Sequence, residues 1–317
     1  MTAEQSKALA TLDISRARRA EAEMAQSVTL VTGASGFLGK AVTKQLAENS
    51  VCTVGLDPRP SPTTHVVDAL SDRQKLKMLL TAEKITHIIH AGGVSGPMVL
   101  ADEPAGVIAI NVLGSLNLLY AALESGVRTF VYCSSAAALG NFYEDEPVDD
   151  QYPLRPNNTY SASKAAMEMV LQGLWTKIPL DLCSLRFTVI YGPGRETTFT
   201  LEEIVRAALA GETARIQPMT DWPYVYIDDA GAQSSRPASQ TAGSTSAISL
   251  RIRKKSPPDD IAAAAAAAGK PVRLAIDASK PKAARGPLDI EPAARDFGFR
   301  AQVGHREGVR RLIESTR

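Results

Sequence analysis

Cysteine is scarce. Cys52, Cys133 and Cys183 are the only three in 317 residues. They are far apart, odd in number and lack the close pairing of zinc or redox sites, which argues against a disulfide framework and a metal centre. Each falls in an apolar, strand-like segment, where a buried reduced thiol is the simplest reading. Excess charge is lacking too: 35 Lys and Arg against 34 Asp and Glu leave a formal net charge of +1. No global field therefore draws the chain to nucleic acid or to an anionic membrane. Nothing in 1–26 reads as a secretory signal, and no window reads as an uninterrupted apolar membrane span. The expectation is a cytoplasmic protein with no nucleic-acid, membrane or metal partner. Hydrophobic residues still supply 44% of the chain, enough for one large domain or two unequal ones.

What is present is an alternation of strand and helix patterns. Residues 1–26 form a polar leader, with a short solvated helix at 14–24 or a disordered tail as its readings. Strands are expected at 28–31, 51–56, 65–67, 85–90, 130–133 and 180–189. Helical spacing occupies 37–46, 109–123 and 160–174. Apolar strands alternating with helices imply an α/β fold, a parallel sheet covered on both faces. Pro193 and Gly194 break the alternation. The expected division is a nucleotide-binding domain over 27–192 and a smaller C-terminal substrate-binding region over 193–317, its last elements returning to the core. In that region 201–210 and 307–313 read as helices. The alanine run 262–268 has high helix propensity but little area to bury. The stretch 234–256 is rich in Ser, Thr, Gln and Ala with a basic run at its end, and is expected to be a poorly ordered loop.

Two phrases carry the chemistry. The first is Thr32-Gly33-Ala34-Ser35-Gly36-Phe37-Leu38-Gly39, directly after the first strand. Glycines at 33, 36 and 39 allow a tight turn, close approach of a pyrophosphate and close helix–sheet contact, with the helix amides facing the anion. The alternative is a glycine-rich surface turn. Asp57 ends the second strand, 18 residues after Gly39. Its carboxylate suits ribose hydroxyls and repels an added 2′-phosphate, so NAD is favoured over NADP, with Arg59 as the residue that could reverse the preference. Asp68, after the third strand, is assigned to the adenine edge or to a helix cap.

The second phrase is Tyr160-Ser161-Ala162-Ser163-Lys164. On one helix, Tyr160 and Lys164 share a face. A phenol is protonated near neutrality, but a nearby ammonium favours its phenolate. Tyr160 is then a base for alcohol oxidation or an acid for carbonyl reduction. An ordinary amphipathic helix is the competing account of the spacing. Ser134 and Ser135 close the preceding strand, where a hydroxyl can orient the reacting oxygen. Ser135 is the choice, against a role as a helix cap.

Together these residues resemble the extended short-chain dehydrogenase/reductase family, which includes NAD-dependent sugar epimerases and dehydratases. Further agreement comes from Asn111 within 111–119, from Arg186 followed by Tyr191-Gly192-Pro193-Gly194, and from Tyr226-Ile227-Asp228-Asp229. The resemblance implies a Rossmann-like sheet. It assigns Gly33, Ser35, Gly36, Phe37, Leu38, Gly39, Asp57, Asp68, Ala91, Gly92, Asn111, Tyr160 and Lys164 to the cofactor NAD. Ser135, Tyr160 and Lys164 would form the catalytic set, Asn111 would support the helix behind them, and His90 would be structural. It also implies a homodimer through the helices at 109–123 and 160–174.

Departures narrow the activity. Ala136 and Ala137 follow Ser135, where sugar dehydratases of this family carry an Asp-Glu pair, and Cys133 lies inside the strand, poorly placed as a reactive thiol. A helix and a strand would be expected after Asp229, where this chain turns to its Ser- and Thr-rich stretch. The resulting expectation is hydride transfer to NAD from a secondary alcohol of a sugar, sugar acid or small polyol. A nucleotide-sugar 4-epimerase is the alternative, with Arg195, Arg215 and Arg285 as candidate anion contacts. A non-catalytic dinucleotide sensor is the alternative from another class.

Overall fold

The structure, a computed structural model, describes residues 27–141, 147–197, 199–218, 223–235, 245–248, 257–279 and 288–316. The leader, Arg285 and most of 234–256 lie outside them.

β-Branched and apolar residues form strand β1 (Val28–Thr32). Helix α1 (Phe37–Glu48) buries Gly39, Val42 and Leu46, a helical stripe. Then come β2 (Cys52–Asp57), the short β3 (Val66–Val67), α2 (Arg73–Ala82) and β4 (His87–His90). Asp72 starts α2 by accepting the amides of Gln74 and Lys75. The expected helix at 109–123 is longer and composite: α3 (Pro104–Ile108), a π-helical segment (Ala109–Gly114) and α4 (Ser115–Glu124). Strand β5 (Thr129–Ser135) leads into a 3₁₀ turn (Ala136–Leu139), then α5 (Thr159–Leu174) and β6 (Asp181–Phe187).

The main sheet is parallel, in the order β10-β6-β5-β4-β1-β2-β3. Its edge strand β10 (Thr245–Ile248) pairs Thr245 with Ser184 and Ile248 with Phe187. Within the stretch 234–256, expected to be a poorly ordered loop, residues 245–248 are thus a strand, and 236–244 and 249–256 lie outside the described residues. A parallel edge strand is held by backbone pairing along one side, so Thr245-Ser246-Ala247-Ile248 need not display a strongly apolar pattern. The helix in front of it, α7 (Ile227–Ser234), is also present. Beyond β6, β7 (Val189–Tyr191) pairs with β9 (Tyr224–Tyr226), and β8 (Thr213–Ile216) pairs with β11 (Arg273–Ile276). Helices α6 (Thr200–Ala210), α8 (Pro257–Ala267), α9 (Glu291–Phe297) and α10 (His305–Ser315) complete the C-terminal part.

Among the described residues, three large apolar clusters and one small one, Ala136, Leu139, Val148 and Leu288, hold the molecule. One sheet face packs Leu30, Ile88, Phe130 and Tyr132 against Leu76 and Leu80 of α2, Leu118 of α4 and Met167 of α5. The other packs Val31, Ile89, Val131 and Leu185 against Val42 and Leu46 of α1, Ala230 of α7 and Ala293 of α9. A third joins Leu201, Ile204, Ile261, Ala264, Ala265, Val309 and Ile313 of α6, α8 and α10. The alanine run therefore lets α8 sit close to its neighbours rather than supplying bulk.

One composition reading is corrected. Residues Pro104–Glu124 form a helix long and apolar enough, by length and composition, to cross a bilayer. Here its inner side is built into the fold, with Val107, Asn111, Ser115, Leu118, Leu119 and Ala122 buried. Ile110, Leu113 and Tyr120 are exposed along its outer side.

Candidate functional site

The sheet order reverses at β1, whose two neighbours are β2 and β4. Crevices at such a point, outside the carboxyl ends of the strands, are where ligands bind in this type of sheet. The glycine turn leaves β1 there. Gly33 has φ of +70°, and a Cβ on it would lie 2.7 Å from the Gly92 Cα. Only glycine fits both demands. Gly36 caps α1 without a side chain, and the first turn of that helix holds no acidic residue. By helix geometry the amides of Phe37, Leu38 and Gly39 have no partner inside the helix. The Ser35 hydroxyl is buried and makes no protein hydrogen bond. An uncapped helix end beside an orphaned buried hydroxyl fits the pyrophosphate of a dinucleotide.

Asp57 is buried at the end of β2. One of its carboxylate oxygens accepts the Ser35 amide at 3.1 Å and the other the Arg59 amide at 2.8 Å. It thus ties the glycine turn to the second strand. The Arg59 guanidinium lies 4.0 Å from Asp57 and 3.6 Å from Glu196, so two carboxylates flank it. Asp68 is half-buried after β3 and accepts the amide of Ala69 at 2.7 Å. Asp72, rather than Asp68, is the helix cap.

Asn111 sits in the π-helical segment, 2% exposed. Its Oδ1 accepts the Val94 amide at 2.7 Å. Its Nδ2 donates to the Val94 carbonyl at 3.2 Å and to Ser163 Oγ at 2.9 Å. Asn111 therefore joins the 91–94 loop to α5, the helix that carries the proton-transfer pair. One-turn π insertions concentrate at functional positions because they re-aim a side chain without ending the helix.

Helix α5 begins at a capping box: Asn158 accepts the Ser161 amide, and Ser161 Oγ accepts the Asn158 amide. Tyr160, half-buried, is in its first turn. One turn later the Lys164 ammonium is buried and donates to the Cys133 carbonyl at 2.9 Å. It also lies 4.8 Å from the centroid of the Tyr132 ring. Burial pulls its pKa down to about 8, against the opposing pull of Cys133 and Glu168. The contact to Cys133 registers helix against strand. From Cys133 to Ser135 the strand rises about 6.6 Å, and from Lys164 back to Tyr160 the helix rises about 6 Å. Helix and strand run in opposite directions in a parallel β–α–β unit, so both steps lead toward the carboxyl end of the sheet.

Ser135 is also the cap of the 3₁₀ turn, with its Oγ accepting the Ala137 amide at 3.1 Å. The two readings of this residue are compatible, because accepting that amide leaves its own O–H to donate. Ser134 points elsewhere and donates to Glu168. Burial pushes the Cys133 thiol up to about 11, which makes it inert.

Glu168 escaped the sequence reading. It lies one turn beyond Lys164 and is buried, with Arg186 Nε donating to it at 2.7 Å. Burial raises its carboxyl, while Arg186 and the Ser134 hydroxyl hold it back. The signal was the spacing Tyr160, Lys164, Glu168, one helical face over two turns. Arg195, a candidate substrate contact, is instead engaged by neighbouring segments: it donates to the carbonyls of Ile190 in β7 and of Thr197, and lies 3.7 Å from Glu202 of α6. Arg215 is exposed on β8. Asp229 holds the chain before α10 by accepting the amides of Gln302 and Val303. Among the described residues no cluster of metal-ligating side chains forms.

The model of the NAD dependent epimerase/dehydratase family matches residues 29–234, from the first strand through α7. The chain belongs to this family. A UDP-glucose 4-epimerase of Mycolicibacterium smegmatis is 25% identical over 310 residues, 90% of this chain and 97% of that protein. A uronate dehydrogenase of Pseudomonas putida is 28% identical over 163 residues, 50% of this chain and 59% of its own length. The crystal structure of a UDP-glucose 4-epimerase from Thermotoga maritima, with UDP-glucose, superposes with a TM-score of 0.81 at 20% identity, covering 91% of this chain and 98% of that one. At that identity the superposition shows a shared fold.

Proposed function

We propose that this chain is an NAD-dependent oxidoreductase that oxidises a secondary alcohol on a sugar, sugar acid or related small polyol. The observation that supports it most directly is the bond from Lys164 to the Cys133 carbonyl, which ties the helix of Tyr160 to the end of the strand that closes with Ser135. Gly33, Ser35 and the first turn of α1 would hold NAD, which would supply the acceptor for hydride leaving the carbinol C–H bond. Tyr160 takes the hydroxyl proton as that bond breaks. The Lys164 ammonium lowers the cost of the phenolate. Ser135 donates to the substrate oxygen and orients it.

Arg195 favours a substrate without a diphosphate, because its guanidinium is already engaged by Ile190, Thr197 and Glu202. The nucleotide-sugar 4-epimerase reading is supported by the match to a UDP-glucose 4-epimerase over nearly its whole length. The Ala136-Ala137 pair weighs against dehydration, since neither side chain transfers a proton. A screen of uronates, aldoses, polyols and nucleotide sugars with product identification separates these readings. Sustained NADH accumulation supports the dehydrogenase, and epimer interconversion without net NADH supports the epimerase. NAD binding with no turnover of any of them would support the sensor.

The same helices offer a dimer surface. Ile110, Leu113 and Tyr120 of the composite helix and Met169 of α5 are exposed large apolar side chains. Patches of this kind mark association surfaces. A homodimer through this face is part of the proposal.

A further inference from the structure

His90 ends β4 directly before the 91–94 loop, and it is 1% exposed. Both its ring nitrogens are engaged. Thr32 Oγ1 lies 2.6 Å from Nδ1, and Ser115 Oγ lies 2.7 Å from Nε2. Beyond Thr32, the Gly92 amide donates to Oγ1 at 3.1 Å. Beyond Ser115, the hydroxyl donates to the Asn111 carbonyl at 2.6 Å. Thr32, Ser115 and Asn111 are each 1–2% exposed.

The ends of this chain fix the direction of every bond in it. The Gly92 amide can only donate, and the Asn111 carbonyl can only accept. Ser115 has one hydroxyl proton, and at 2.6 Å it must lie toward that carbonyl, or two oxygens would face each other bare. Nε2 must then carry a proton and donate to Ser115. At the other end Thr32 Oγ1 accepts from Gly92 and points its own proton at Nδ1, which stays unprotonated. A neutral Nε2–H imidazole satisfies all four bonds at once. A ring protonated at Nδ1 alone would leave Nε2 facing an oxygen with no proton between them.

We infer that His90 is a positioning residue for the cofactor loop, locked in the Nε2–H tautomer and clamping Gly92 against the end of β1. The inference rests on the NAD site described above. Gly92 is the residue that packs on Gly33 of the glycine turn. Val94, two residues on, is held at both its amide and its carbonyl by the Asn111 side chain. The loop is thus gripped at two points, and both grips meet at Asn111. Ser163 Oγ accepts from Asn111 and donates to the Tyr160 carbonyl at 2.7 Å, which extends the network to the base. Burial, with Lys164 as the nearby positive charge, drives the His90 pKa down to about 3, so the neutral ring persists through the working range.

The test has two arms. Imidazole ¹⁵N spectra of the full chain are expected to show His90 as Nε2–H, with shifts constant from about pH 5 to about pH 9. An Nδ1–H signal, or titration near the ordinary histidine value, would overturn the relay. In the second arm NAD affinity is measured by calorimetry well below the melting temperature. Thr32→Val and Ser115→Ala are expected to weaken NAD binding about tenfold or more, and Thr32→Ser to stay within about threefold of wild type. Variants that melt earlier yet bind NAD as tightly as wild type would assign the network to stability alone and overturn the positioning role. A wild-type chain that binds no NAD would remove the cofactor site and this role with it, while the tautomer spectrum would still decide the relay separately.

Discussion

At the scale of single residues, the site divides proton chemistry from anchoring. In the proposed reaction Tyr160 handles the proton, while Lys164 and Asn111, bonded to the Cys133 carbonyl and to Ser163, anchor the helix that carries it. Tyr160→Phe removes the proton acceptor and little else, so turnover should fall by about 10²–10⁴-fold while NAD affinity changes by less than about threefold. Parallel kinetics and calorimetry check this, and equal loss of both would contradict the assigned role. Buried histidines make a second prediction. The folded pKa values of His90 and His305 are lowered to about 3 and about 4, in both cases by burial. Between those values and the ordinary histidine range, the unfolded chain binds protons that the native chain refuses. The contribution of these two histidines to stability is therefore fully present above about pH 6.5 and is lost as pH falls, while Glu168 and Glu202, raised by burial, act the other way. Urea titrations at a series of pH values measure the slope, and a flat response from about pH 7 to about pH 5 would contradict it. The glycines and the Tyr–Lys pair stand out in the sequence by their order and by the strand and helix patterns around them, since neither spacing is specific alone. Glu168 shares the helical face of that pair, but its pairing, like the His90 relay, was not readable, because the partners Ser134, Arg186, Thr32 and Ser115 come from remote parts of the chain and look like ordinary strand or helix residues.

At the scale of elements, the start of α5 is the sensitive point. Asn158 caps it, and Tyr160 is its second residue. Asn158→Ala should cost about 1 kcal/mol of stability. It should also lower turnover more than NAD affinity, because fraying the first turn moves the phenol and spares the glycine turn. Denaturant curves with paired kinetics would show this, and an unchanged rate would mean that contacts beyond the cap hold Tyr160. Strand positions were legible wherever Val, Ile and Leu cluster, as in β1 and β4. Three features were less so. Helix α2 buries only Leu76 and Leu80 between charged residues, and its pattern is weak. The π-helical segment depends on an extra residue accommodated within a continuous apolar run, which periodicity does not reveal. β10 borrows its stability from β6. A strand of that kind is specified by what waits beside it.

At the scale of the whole molecule, the exposed stripe on the composite helix predicts association. Leu113→Glu should convert a dimer to monomers, measured by sedimentation or light scattering, with the fold retained by circular dichroism. A wild-type monomer at micromolar concentration would reject that surface. The two parts of the chain are also less separable than the break at Pro193 and Gly194 implies. The second face of the main sheet is covered partly by Val225, Ala230, Ala293 and Phe299, and its edge is supplied by β10.

That interleaving bears on how the chain is made. A ribosome releases the amino end first, so the glycine turn emerges long before the segments that roof its sheet. Until residues near 299 have cleared the exit tunnel, Val31, Ile89, Val131 and Leu185 lack part of their cover. The nascent chain would travel that interval with a sticky surface, making it a natural client for chaperones. Termination before α9 would leave that face of the sheet without Ala293 and Phe299.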